Sequence, residues 1–219
     1  MTQFLPLLLQ GAWVSVQMTL ASTLLGVPLA IAAAVARASG KRWLAWPCGI
    51  CVEVLRGLPL LVLLFWLFFV LPLPPFRLAM SPAQVAVIGM GLHFGAYGAE
   101  VLRGAFKAVP AGQFDACTAL NLGRWSALRR IILPQVLRAA IAPATNLWIE
   151  LLKNTSLLSL VTLADLTLRA RQLDQATFAT AEIYGLTLLM YFMLAQTLRF
   201  VMRRLERRLQ VGLPTGVLR

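Results

Sequence analysis

The strongest constraint on this chain is an alternation of long apolar runs, at about 11–36, 48–71, 83–106, 136–161 and 181–201, with short polar or proline-rich intervals. Crossing the hydrocarbon of a bilayer takes roughly 20 apolar residues in a helix, because there the backbone must satisfy its own hydrogen bonds. With 219 residues, 59% of them hydrophobic, and a mean hydropathy of +0.78, the chain has room for such spans and none for an appended soluble domain. Residues 1–219 therefore read as a single all-α integral membrane domain of five transmembrane helices.

The formal charge of +12 would suggest nucleic acid as a partner in a soluble protein, but its placement excludes that. All twenty Lys and Arg residues except Arg56, Arg77, Lys153, Arg169 and Arg171 lie in 37–42, in 103–138 or from Arg199 onward, each near the end of an apolar run. Basic residues collect on the cytoplasmic side of a bacterial inner membrane, and Trp13 supplies an aromatic anchor at the opposite end of the first run. This predicts an amino end outside and a carboxyl end in the cytoplasm. No Lys or Arg precedes the first run, so the charged start of a cleaved signal peptide is missing and the first span is expected to be retained.

The chain has no phosphate-binding GxxxxGK[ST] loop, so ATP hydrolysis would have to come from another chain. Cys48 and Cys51 form one C-x-x-C with no second pair. Together with Cys117 and the single His93 they read as packing residues rather than ligands, and no metal or cofactor is expected. Within the spans, Glu53/Arg56, Glu100/Arg103 and Glu150/Lys153 each sit three apart, on one helical face, where ion pairing lowers the cost of carrying charge in a membrane. Proton-driven carriers would sooner show unpaired carboxylates or a His chain, which weighs against a stand-alone secondary carrier or channel. Gly57 and Pro59 break the second run, and Pro143 and Asn146 interrupt the fourth. Gly26 in the first run, and Gly89, Gly91, Gly95 and Gly98 in the third, offer small faces for close helix contact. The LPLPP stretch before 82 reads as an outer connection, and 162–180 as a short amphipathic outer helix.

The polar interval 109–135 is larger than a simple connection needs. Pro110 suits a first helical position, and Asp115 is expected in the first turn, where the helix dipole favours a carboxylate. Asn121 suits a left-handed stop. A second short helix is expected over about 124–132, ending at Pro134, with Phe114, Cys117 and Leu120 on one face of a helix-turn-helix knob. An amphipathic segment resting on the inner membrane surface fits the same pattern.

At these residues the sequence resembles the membrane subunits of ABC importers, whose cytoplasmic loop carries the EAA motif, E-A-A-x-x-x-G followed by a hydrophobic-Leu-Pro. GQFDACTALNLGRWSALRRIILP matches it from Gly112 to Pro134, with Asp115 in place of Glu, Cys117 of the second Ala, and Asn121 of Gly. VEVLRGLP, AYGAEVLRGAFKAVPAGQ and NLWIELLKNTSL are similar to segments of the polar-amino-acid uptake branch, which includes the histidine, glutamine and arginine permeases. SLLSLVTLADLTLRARQL looks most like the permeases assigned to ectoine and hydroxyectoine uptake, an alternative cargo within the same family.

The resemblance implies a type I importer permease fold with a cytoplasmic coupling helix. It implies a separate ABC ATPase subunit, a second permease subunit, an extracytoplasmic solute-binding protein and a small zwitterionic solute. By the same likeness Gly112, Gln113, Asp115, Ala116, Cys117, Leu120, Asn121, Arg124, Leu133 and Pro134 form the ATPase-coupling region. Glu53, Arg56, Gly57, Pro59, Tyr97, Glu100 and Arg103 are candidates for the pathway or its gate, as are Asn146, Lys153, Thr155 and Ser156. Asn154 replaces the Asp that this family carries beside the lysine.

Overall fold

A computed structural model describes residues 4–210; residues 1–3 and 211–219, with the expected cytoplasmic carboxyl terminus, lie outside the described residues. In chain order the helices are α1 (Leu5–Ala38), α2 (Arg42–Gly57), α3 (Leu60–Phe65, continued by a π turn Trp66–Val70), α4 (Pro82–Lys107) and α5 (Ala111–Ala119). They are followed by α6 (Arg124–Ala127), α7 (Leu133–Asn154, continued by a 3-10 turn Thr155–Val161), α8 (Leu166–Thr177) and α9 (Thr180–Gln210). Leu5–Ala38, Pro82–Lys107 and Thr180–Arg207 are each long and apolar enough to cross a membrane. Two bent assemblies, Arg42–Gly57 with Leu60–Val70 and Arg124–Val161 with Leu166–Thr177, pass the same test as pairs.

The centre of the molecule is the contact of α1 with α4, and glycine makes it possible. A Cβ on Gly26 would fall 2.8 Å from the Gly91 carbonyl oxygen and 2.7 Å from the Phe94 ring. One on Gly95 would fall 3.0 Å from Leu29 Cβ and 3.2 Å from the Gly26 carbonyl oxygen. Neither backbone could approach so closely through a side chain. Three hydroxyls of α1 turn back on its own carbonyls, Ser15 donating to Gly11, Thr19 to Ser15 and Thr23 to Thr19 at 2.8–3.3 Å, which satisfies these three without water.

Around this pair, Leu60, Leu64 and Leu67 pack on Val85, Ala86 and Met90 of α4, and Leu147, Leu151, Leu158 and Val161 close the same core. A second core joins Leu8 and Ala12 of α1 to Leu166 and Ala170 of α8 and Ile183 of α9. Ser81 starts α4 with a reciprocal cap, its hydroxyl accepting from the Gln84 N–H and its own N–H donating to the Gln84 side chain.

The break expected at Gly57 and Pro59 is present and large, with 101° between α2 and the α3 segment. Leu58 is extended (φ −89°, ψ 134°), as a residue before proline prefers, and Pro59 begins the next turn by accepting from the Leu63 N–H at 3.1 Å. The interruption expected at Pro143 and Asn146 does not form: α7 runs unbroken from Leu133 to Asn154 with Pro143 inside it. The boundary expected at Pro134 is absent as well. No helix ends before Pro134; instead α6 runs through a π turn, Leu128–Ile132, straight into α7. Proline has no N–H to donate, and the widened turn, closed by the Leu133 N–H on the Leu128 carbonyl, carries the backbone past it.

Replacing Gly26 by Ala is expected to lower the thermal midpoint of the purified protein by several degrees, through overpacking of about 1–3 kcal/mol. The same change at Gly104, where a Cβ meets nothing within 4 Å, should leave or raise it. Fluorescence-detected gel filtration after heating checks both.

Candidate functional site

The knob expected from the sequence is α5 folded back on the base of α7. Pro110 is the cap rather than the first helical residue, and α5 begins at Ala111. Asp115 therefore falls beyond the first turn, which contains no acidic residue, and the expected dipole contact does not apply. The stop at Asn121 does form. Its φ is +49°, the Leu122 N–H reaches the Cys117 carbonyl at 3.0 Å and the Asn121 N–H reaches the Thr118 carbonyl at 3.0 Å, the paired closure of a left-handed helix end.

Phe114, Cys117 and Leu120 do not share an outward face. Cys117 is buried, Phe114 packs on Phe106 with ring centroids 5.8 Å apart, and Leu120, like Trp125 across the turn in sequence, is about 70% exposed. Gly112, Asp115, Ala116, Asn121, Arg124 and Leu133 are also exposed, and Pro134 is half-buried. Gln135 donates to the Gln113 side chain at 3.2 Å and so ties α5 to the first turn of α7. The knob thus offers an apolar tip on a stem that belongs to a long helix.

A charge cluster sits where α1, α2 and α4 meet. The Glu100 carboxylate is largely buried and takes an ion pair from Arg37, a 2.9 Å hydrogen bond from the Arg103 Nε and a 3.9 Å ion pair from Arg56. Arg56 also pairs with Glu53 at 3.3 Å. The two i, i+3 pairs expected here form, and Arg37, 63 positions from Glu100, joins them. Tyr97 donates from its hydroxyl to the Arg56 carbonyl at 3.1 Å, one of the carbonyls that the end of α2 leaves without an intrahelical partner. The Arg56 guanidinium stands 5.5 Å from the Tyr97 ring centroid, and His93 stacks 4.7 Å away on the same ring. This network fixes the break at Gly57 and Pro59.

The third expected pair is absent. Glu150 and Lys153 are both exposed and no ion pair within 4 Å joins them. With Asn146, also exposed, they form a polar stripe along α7 at i, i+4 and i+7. Of the remaining candidates, Thr155 is fully buried and donates to the Leu152 carbonyl at 2.7 Å, and Ser156 is half-buried with its carbonyl accepting from Ser159. Thr155 thus has a packing position and does not line a surface.

One buried polar group had only a faint signal in the sequence. Asp165 is fully buried and caps α8, accepting from the Leu168 N–H at 2.9 Å, the Thr167 N–H at 3.1 Å and the Tyr191 hydroxyl at 3.1 Å. A Cβ on Gly11 would fall 2.7 Å from the Asp165 carbonyl oxygen, and the Leu166 N–H reaches the Ser15 hydroxyl at 3.4 Å. The segment expected as a short amphipathic outer helix does form one, and it is seated on α1 and α9. D-L-T, a capping Asp two before a Thr, is the only trace of this in the sequence.

Residues 26–211 match the family described as binding-protein-dependent transport system inner membrane component. The chain belongs to that family. It is a multi-pass inner-membrane permease subunit and not an enzyme. It is 41% identical over 201 residues to a probable amino-acid ABC transporter permease of Sinorhizobium fredii, covering 90% of this chain and 84% of that one. It is 33% identical over 208 residues to the glutamine transport system permease of Escherichia coli, covering 94% of each. Among solved structures, an amino acid ABC transporter crystallised with histidines superposes at a TM-score of 0.89 with 27% identity, over 95% of this permease and 96% of that chain.

Because Asn121 holds a positive φ, Asn121→Gly is expected to preserve the knob, whereas Asn121→Val should cost about 1–2 kcal/mol locally. Hydrogen exchange of the 111–132 amides reads this directly, with faster exchange in the Val variant only.

Proposed function

We propose that this permease carries an amino acid or similar zwitterion into the cytoplasm as the spanning subunit of an ATP-driven importer. In this reading it has five spans, an outside amino end and a cytoplasmic knob docked in a separate ATPase subunit. The observation that carries the reading is the α7 stripe. A carboxylate and an ammonium stand three residues apart, exposed and unpaired, inside a segment counted as membrane-spanning. Such groups cost about 2.5–3.5 kcal/mol each against lipid, so they belong beside water or another subunit. Together they complement the two charged ends of a zwitterion.

A second permease subunit, a copy or a relative, would shield the open side of α7 from lipid, and an extracytoplasmic binding protein would deliver the solute. The relatives named for amino-acid transport support this cargo class over ectoine. Coupling follows from the continuous helix. Because α6, the π turn and α7 form one run, displacement of the knob by a closing ATPase pair moves the base of the helix that carries Asn146, Glu150 and Lys153. The Gln113 to Gln135 hydrogen bond makes α5 move with it. The Arg37, Arg56, Glu100 and Arg103 cluster holds α1, α2 and α4 as the fixed side of that motion.

The test is uptake of labelled glutamine, arginine, glutamate and ectoine into proteoliposomes holding the permease, its ATPase and its binding protein. Glu150→Gln and Lys153→Gln should each lower transport at least tenfold while ATPase recovery on purification is unchanged. Asp115→Lys and Leu120→Asp should leave membrane insertion intact and lower that recovery. Uptake that persists without the ATPase would instead make the chain a stand-alone carrier or channel.

A further inference from the structure

The start of α2 carries a feature that transport does not use. Trp43 and Trp46 are each 74% exposed, and Lys41 and Arg42, the two residues immediately before Trp43, are exposed with no side-chain partner among the described residues. The same face continues through Ile50 and Val54, 45% and 54% exposed, at helical spacing. The opposite face is seated: Val52 is buried against Ala96 and Ala99 of α4, and the Cys48 thiol points to the Ala33 carbonyl of α1. Nearby Arg37 differs from both cations, because Glu100 neutralises it. A shallow, open recess here is lined by Arg42, Trp43, Ala45 and Trp46.

We propose that this recess is a binding site for an anionic phospholipid of the inner leaflet. The phosphate would lie against Lys41 and Arg42, an indole N–H could donate to a headgroup oxygen, and the acyl chains would run along Ile50 and Val54. Charge selects this occupant. A second copy of the chain meeting the patch two-fold would set Arg42 against Arg42, and the nearest acid on α2 is Glu53, engaged by Arg56. A soluble partner would bury the cations but leave the apolar stripe beyond them uncovered. Indoles and cations at one level are what a membrane interface binds. The site depends on this end of the bundle being cytoplasmic and is independent of the cargo.

Native mass spectrometry of the detergent-purified permease, titrated with phosphatidylglycerol and phosphatidylcholine of identical acyl chains, tests it. The unmodified protein is expected to hold phosphatidylglycerol on the order of tenfold more tightly. The double variant Lys41→Gln/Arg42→Gln should lose that preference, and Trp43→Ala/Trp46→Ala should weaken both lipids. All four side chains are exposed, so thermal midpoints should stay within a degree or two of the unmodified protein. A control with equal charge loss on the knob, Arg129→Gln/Arg130→Gln, should keep the preference. Equal retention of the two lipids by the unmodified protein, or an equal loss of preference in the control, would overturn the site. Neither result would bear on transport, which the proteoliposome experiment decides separately.

Discussion

Everything in this molecule depends on how closely α1 can approach α4. In a bilayer, lipid tails are as apolar as leucine, so helices gain little from the hydrophobic effect and associate through packing and internal hydrogen bonds. Gly26, Gly91, Gly95 and Gly98 let two backbones meet where a Cβ would collide with a carbonyl or a ring at Gly26, with Leu29 and a carbonyl at Gly95, and with the Leu25 and Ala30 side chains at Gly91 and Gly98. The rest is laid around that contact: the α3 segment packs beside α4, α8 rests on Gly11 at the start of α1, and α2 crosses near Ala33 and Ala96.

A rigid centre allows irregular backbone elsewhere. Breaks in a spanning helix free polar groups that only protein or enclosed water can satisfy. Here the break after Arg56 is held by Tyr97 and by the ion pairs around Glu100, and the start of α8 is held by Asp165. The charges divide into two kinds. Around Glu100 three arginines and two carboxylates pair and tie three helices together; on α7 Glu150 and Lys153 stand apart and open. The first kind stabilises a shape, and the second is available to a ligand.

Much of this was legible in advance. The apolar runs, the basic clusters, the Gly57 and Pro59 break and the small faces on the first and third runs follow from local composition, and the structure has them. Asn121 was readable because few residues other than glycine tolerate a left-handed helix end. What could not be read depends on contacts distant in sequence or on side-chain direction. Spacing brought Glu150 and Lys153 within reach of each other, but spacing does not choose rotamers, and the pair does not form. Nothing near Arg37 signals Glu100, nor anything near Ser15 the seat of α8. Periodicity placed Cys117 beside Leu120, whereas the fold back onto α7 turned one inward and left the other bare. Pro134 looked like a boundary because a proline usually is one; the π turn removed the reason.

The central claim is that the α7 stripe is lined by water and not by lipid. In a background with Cys48, Cys51 and Cys117 replaced by Ala, single cysteines at Glu150 and at Leu188, an exposed apolar position on α9, can be labelled in the reconstituted importer with a charged, membrane-impermeant maleimide. The account predicts that the cysteine at 150 reacts at least tenfold faster than that at 188, and that a transported amino acid slows it. Equal, negligible labelling at both positions, unchanged by any solute, would contradict it.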